Sequence, residues 1–179
     1  ALYDEGYEVP PRDLLKTPED IEGIKRSAKI NIGVLDMVSE RIGEGVNTLE
    51  IDQWIYDYTV EHGGIPADLD YEGFPNSVCT SINEVVCHGI PSQTDVLTSG
   101  DIVNVDCSTI LDGYFSDSSR MFCIGEVSEE RKRLVEETKK ALEAGLAAIK
   151  PWGFLGDVGA AVKAYANSCG FSVVREFGG

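Results

Sequence analysis

Apolar residues recur at helical spacing from residue 21 onward, with Ile21, Ile24, Ala28, Ile32, Leu35 and Ile42 tracing one face. Thr17-Pro18-Glu19-Asp20 opens this helix, with Thr as N-cap, Pro in the first turn and acids after it, and Gly43-Glu44-Gly45 ends it. A second helix follows Thr48, turns Leu49, Ile51, Trp54, Ile55 and Tyr58 inward, and stops at Gly63-Gly64. Residues 1–16 lack this period and contain Pro10-Pro11, so they predict an extended arm. From 67 to 97 Gly, Pro and Asn punctuate a β-leaning run, Ser77 to Ile82. Ile102 to Ile110 and Tyr114 to Ile124 then predict two strands joined at Asp112-Gly113, a favoured hairpin dipeptide. The order recurs: Ser128 caps a helix that Pro151 ends, Asp157 caps another that Gly170 ends, and Phe171 to Phe177 predicts a strand. Helix, helix and strands thus occur twice, the second time without most of the sheet.

The hairpin places an acid where apolar residues dominate. Asp106 lies in Val103-Asn104-Val105-Asp106, where a carboxylate is costly unless something compensates it. A two-residue turn at Asp112-Gly113 pairs 111 with 114, 108 with 117 and 106 with 119. Asp106 and Asp117 then share one sheet face as diagonal neighbours, about 7–8 Å apart at the backbone. A bulge would shift this register. Two such carboxylates can be a solvated pair, an acid/base pair as in glycosidases, or ligands for hard or intermediate divalent metals. As ligands they are too few to close a site and need further His or Glu.

Composition narrows the classes. At 179 residues the chain can bury a sizeable core, and 42% hydrophobic with 26% charged residues excludes a disordered chain. No apolar run reaches membrane-spanning length and no leader pattern is present, which predicts a cytoplasmic protein without a membrane span. A net charge of -16 repels phosphates and argues against direct nucleic acid binding, while tolerating cations. The five Cys are odd in number and form no CxxC pair, so buried free thiols are expected rather than a disulfide framework or zinc knuckle. Of the two His, His62 closes a helix, where a cation suits the dipole. His88, in Asn83-Glu84-Val85-Val86-Cys87-His88-Gly89-Ile90-Pro91, is a loop residue suited to acid/base work or to hydrogen-bonding a substrate.

These segments carry a resemblance. Gly73-Phe74-Pro75-Asn76-Ser77-Val78-Cys79-Thr80-Ser81-Ile82, running into the His88 loop, resembles the signature of the bacterial-type methionine aminopeptidase family. Val105-Asp106 with Gly113-Tyr114-Phe115-Ser116-Asp117 is similar to the segments holding that family's first two metal ligands. Val173-Val174-Arg175-Glu176-Phe177-Gly178-Gly179 is similar to the segment leading to its His-Gly pair. The resemblance runs from about Thr17 to Gly179.

What the resemblance implies is an α+β, pseudo-two-fold "pita-bread" fold, as in creatinase and the aminopeptidases. An arm (1–16) would precede a catalytic domain (17–179), made of a first half (17–124) and the helix pair and first strand of an incomplete second half (128–179). Asp106 matches the chelating aspartate and Asp117 the aspartate bridging both metals. His88 matches the catalytic histidine that contacts the scissile peptide, and Tyr71, Phe74 and Cys79 match positions lining the methionine pocket. The implied activity is removal of the initiator methionine from nascent proteins by two-metal hydrolysis, with cobalt, manganese, iron or zinc. The implied partners are N-terminal Met peptides, with transient ribosome association, and the implied state is a monomer. Phe74 stands where relatives often carry Tyr. The family's His ligand is expected directly after Gly179 and two Glu ligands later, so the sequence is expected to be truncated and inactive alone. A proline-specific aminopeptidase or prolidase of the same fold is the alternative, as is a non-catalytic binding module of that fold.

Overall fold

The computed structural model describes residues 2–175. These divide into two compact units, the first ending at Gly125 and the second beginning at Glu126.

In the first unit, α1 (Pro18–Arg41) begins with a reciprocal cap: the Asp20 N–H donates to Thr17 Oγ1 at 3.2 Å and the Thr17 N–H donates to Asp20 Oδ2 at 2.8 Å. In α2 (Thr48–Glu61) the same device uses Asn47 and Glu50, so the cap is Asn47 and Thr48 is the first helical residue. The His62 ring closes this helix, with Nδ1 2.7 Å from the Tyr58 carbonyl and the ring stacked on Tyr58 at 3.9 Å. Four strands follow: β1 (Ile65–Pro66), β2 (Cys79–Ile82), β3 (Ile102–Leu111) and β4 (Tyr114–Cys123). All pair antiparallel with β3. The β4 ladder runs the whole length of β3, whereas β1 meets only 109–110 and β2 only 103–106. β1 and β2 therefore share the edge opposite β4.

The alternation of β3 separates two faces. Val103, Val105, Cys107 and Thr109 are buried toward the helices, where Val34, Leu35, Val38, Ile51, Ile55, Val78, Leu97, Phe122 and Ile124 complete the core. Asn104, Asp106 and Ser108 face the other way. The inward stripe of α1 differs from the expected one: Ile32 is 51% exposed and Ile21 also faces solvent, while Ser27, Ile30, Asn31, Val34 and Val38 are buried. Polar residues occupy the stripe because they bond to β3. Ser27 Oγ donates to the Thr109 carbonyl at 2.9 Å, and Asn31 Nδ2 donates to the Cys107 carbonyl at 2.7 Å. Similarly Leu49 of α2 is exposed and Thr59 is buried.

The arm is not uniformly extended; it holds two short 3-10 turns, Leu2–Glu5 and Arg12–Leu14. In the second unit, α3 (Glu129–Ala148) is capped by Ser128. α4 (Leu155–Ser168) starts two residues before Asp157, whose carboxylate accepts the Phe154 N–H at 3.0 Å from inside the first turn rather than as N-cap. The two helices pack where Gly145 meets Val162, and Tyr165 Oη donates to Glu137 Oε2 at 2.7 Å. Phe171 to Arg175 form no strand; Glu176 and Phe177, the rest of the expected strand, lie outside the described residues, as do Gly178 and Gly179. The five cysteines are free.

Candidate active site

The Asp112-Gly113 turn sets the geometry. Both residues have positive φ, 52° and 81°, as a tight two-residue turn requires. The resulting register is the expected one, with Leu111 opposite Tyr114, Ser108 opposite Asp117 and Asp106 opposite Ser119. No bulge intervenes, so Asp106 and Asp117 lie diagonally on the face turned away from the helices. Asp106 is half-buried and its carboxyl is pushed up to about 6, first by burial, then by the charges of Asp117 and Asp68, with His88 opposing. Asp117 is exposed.

β2 supplies the neighbouring column. Cys79 pairs with Asp106, which puts it on the same face. It is buried, and its thiol is pushed up to about 12 by burial and then by Asp68 and Asp106. A neutral, buried thiol is a wall residue and not a nucleophile. Beyond β2 the chain doubles back: the Thr80 N–H donates to the Gly89 carbonyl at 2.8 Å, and the Gly89 N–H to Ser81 Oγ at 3.2 Å. A Cβ on Gly89 would come within 2.0 Å of the Thr80 carbonyl oxygen, so only glycine permits this approach. Asn83 ties the loop to the start of β3, its Oδ1 accepting the Ile102 N–H at 3.1 Å and its Nδ2 donating to Asp101 at 2.8 Å. His88 is thereby held at a φ of 54°, close enough for its charge to act on Asp106 and Asp68.

The remaining candidates are less enclosed. Tyr71 is 68% exposed in the 3-10 turn Tyr71–Gly73, and Phe74 beside it is half-buried. Asp68 is a site residue that the sequence pattern did not reveal. Its Oδ2 accepts the Ser108 N–H at 3.0 Å, and burial raises its pKa, with Asp117 adding to the rise. Only the fold brings residue 68 to residue 108, and no local motif marks it.

The donor chemistry suits a metal in part. Two oxygen-donor side chains on one face, with the charge of Asp117 raising the protonation of Asp106, suit a hard or intermediate divalent cation, which relieves the repulsion. Among the described residues no group of three or more His, Cys, Asp or Glu is arranged to hold a metal ion. Asp106 and Asp117 therefore fit as part of a ligand set.

Known proteins share this fold and much of this sequence. Methionine aminopeptidase A of Synechocystis sp. is 44% identical over 165 residues, covering 92% of this chain and 65% of the relative. The methionine aminopeptidase of Escherichia coli strain K12 is 43% identical over 166 residues, covering 92% of this chain and 63% of the relative. The chain thus spans a little under two thirds of the length of these curated relatives. A crystal structure of methionine aminopeptidase from Rickettsia prowazekii superposes with a TM-score of 0.89 at 39% identity, over 91% of this chain and 65% of that one. The prolidase from Pyrococcus furiosus shares the fold, with a TM-score of 0.78 at 20% identity over 88% of this chain and 45% of that one. The pita-bread α+β architecture is common to these neighbours. The profile of metallopeptidase family M24 matches residues 22–179, and the chain belongs to that family.

Proposed function

We propose that the protein removes the N-terminal methionine from peptides and nascent proteins by metal-dependent hydrolysis. The observation that carries this reading is the convergence of Asp106 and Asp117 on one sheet face, beside a histidine held by the Gly89–Thr80 approach. Membership of a metallopeptidase family implies divalent metal ions. Asp106 and Asp117 would hold two of them, of cobalt, manganese, iron or zinc, with Asp117 shared between both. When bound, such ions generate a nucleophile at neutral pH and polarise the scissile carbonyl. His88 hydrogen-bonds the scissile peptide, an interaction that strengthens as charge develops in the transition state. Tyr71, Phe74 and Cys79 receive the methionine side chain, whose thioether suits an apolar, polarizable wall. The reading extends to a cytoplasmic monomer acting on chains as they leave the ribosome.

Relatives named methionine aminopeptidase at 43–44% identity favour this reading over a proline-specific peptidase, for which only the fold is similar. The protein at its natural length, loaded with manganese, cobalt or iron(II), should release methionine from Met-Ala-Ser and leave Ala-Pro intact. Preferential cleavage of Ala-Pro would make it a prolidase-like enzyme, and cleavage of neither would leave a binding module.

A further inference from the structure

The face bearing Asp106 and Asp117 contains a third carboxylate that the proposed chemistry does not use. Asp68 follows β1 by two residues and reaches the site because the Ser108 N–H donates to its Oδ2 at 3.0 Å. Ser108 pairs with Asp117 on one side, so Asp68 lies on the other, at the edge that also carries Cys79. After burial itself, the charge of Asp68 is the strongest influence on the Cys79 thiol. Asp68 thus heads the same stretch of chain, 68–79, that supplies Tyr71, Phe74 and Cys79. It is half-buried, and it does not join a group able to hold a metal among the described residues.

An ionised carboxylate accepts up to about four hydrogen bonds, and the Ser108 N–H provides one. Acceptor capacity therefore remains on the strand edge that carries Cys79, one of the side chains proposed to receive methionine. A thioether cannot use that capacity, because it donates nothing. A side chain ending in an N–H can, whereas with methionine bound the half-buried carboxylate keeps water as its partner, so methionine is not rejected.

We propose that Asp68 is a specificity-determining residue that lets the pocket accept, beside methionine, an N-terminal residue of methionine's length ending in a hydrogen-bond donor, glutamine foremost. This rests on the aminopeptidase reading of the site. The test is kcat/KM for Gln-Ala-Ser and Met-Ala-Ser, measured with the manganese-loaded protein at its natural length, its Asp68→Leu variant and its Asp68→Asn variant. Wild type should cleave the glutamine peptide within roughly a hundredfold of the methionine peptide. Asp68→Leu should lower the Gln/Met ratio at least about tenfold, by removing the acceptor, and Asp68→Asn should fall between. The ratio does not depend on the fraction of protein that folds, and Asp68→Asn preserves shape if the leucine variant is lost. A wild type that cleaves Met-Ala-Ser but not Gln-Ala-Ser, or a ratio unchanged in both variants, overturns the inference and leaves the aminopeptidase reading standing. A wild type that cleaves neither peptide refutes that reading, and the inference with it.

Discussion

Replacing Asp106 by Asn should stabilise the metal-free protein at neutral pH, although it removes a residue proposed to be essential. The carboxyl is raised from 3.8 to about 6 in the folded state, chiefly by burial and by Asp117. Raised above its unfolded value, it binds its proton more tightly in the fold, so stability falls as pH climbs from about 4 to about 6 and stays reduced above that window. A rise of that size corresponds to about 3 kcal/mol. Asp106 is only half-buried, and solvent screening reduces this to about 1 kcal/mol. For a chain of this size that is about 2–4 °C in Tm. Asn has the same shape and no charge, so Asp106→Asn should melt higher than wild type at pH 7.5 in chelator, and the gap should close near pH 4. Trp54, packed against the core of the first unit, reports the transition by fluorescence, while Trp152 is 91% exposed and responds little. Adding manganese should raise the Tm of wild type and not of the variant. A variant less stable than wild type at pH 7.5 in chelator, or a gap that widens toward pH 4, would refute the reasoning.

Other outcomes follow from the same geometry. His88→Ala should retain metal, measured by elemental analysis, while kcat/KM for Met-Ala-Ser falls by about 2–4 kcal/mol of transition-state stabilisation; loss of metal along with activity would make His88 a ligand instead. Gly89→Ala should destabilise the first unit by about 1–3 kcal/mol in denaturant titration, because its Cβ meets the Thr80 carbonyl; an unchanged midpoint would show that the loop is not held by this approach. Asp117→Asn should lower both metal content and activity, since one carboxylate serves two ions in the proposed site, and wild-type stoichiometry would contradict the shared role.

Features fixed by local chemistry were legible in the sequence, and features fixed by distant partners were not. The hairpin register was legible because Asp112-Gly113 tolerates two consecutive positive φ values, and a two-residue loop leaves one pairing. Helix starts were legible where a capping side chain sits three residues from its acid, as at Thr17 and Asp20. The buried face of α1 was not, because hydrophobic spacing counts Ile32 as core, whereas Ser27 and Asn31 are drawn inward by carbonyls of a strand some 80 residues away. Asp157 was misplaced for a local reason: an acid inside the first turn can reach back to the N–H before the helix and resembles a cap in sequence. Asp68 was invisible because its partner, Ser108, is 40 residues distant and carries no motif. His88 was legible as a candidate, but its proximity to Asp106 depends on Gly89 and Asn83 folding the loop back onto β2 and β3.

The central claim is that the β3–β4 hairpin holds the metals of the site through Asp106 and Asp117. Anomalous diffraction at the manganese edge, from crystals of the protein at its natural length grown with that metal, tests this most directly. The account predicts anomalous density against the carboxylates of Asp106 and Asp117, absent from crystals of Asp117→Asn. Anomalous density elsewhere on the protein with none at this pair, at saturating manganese, would contradict it.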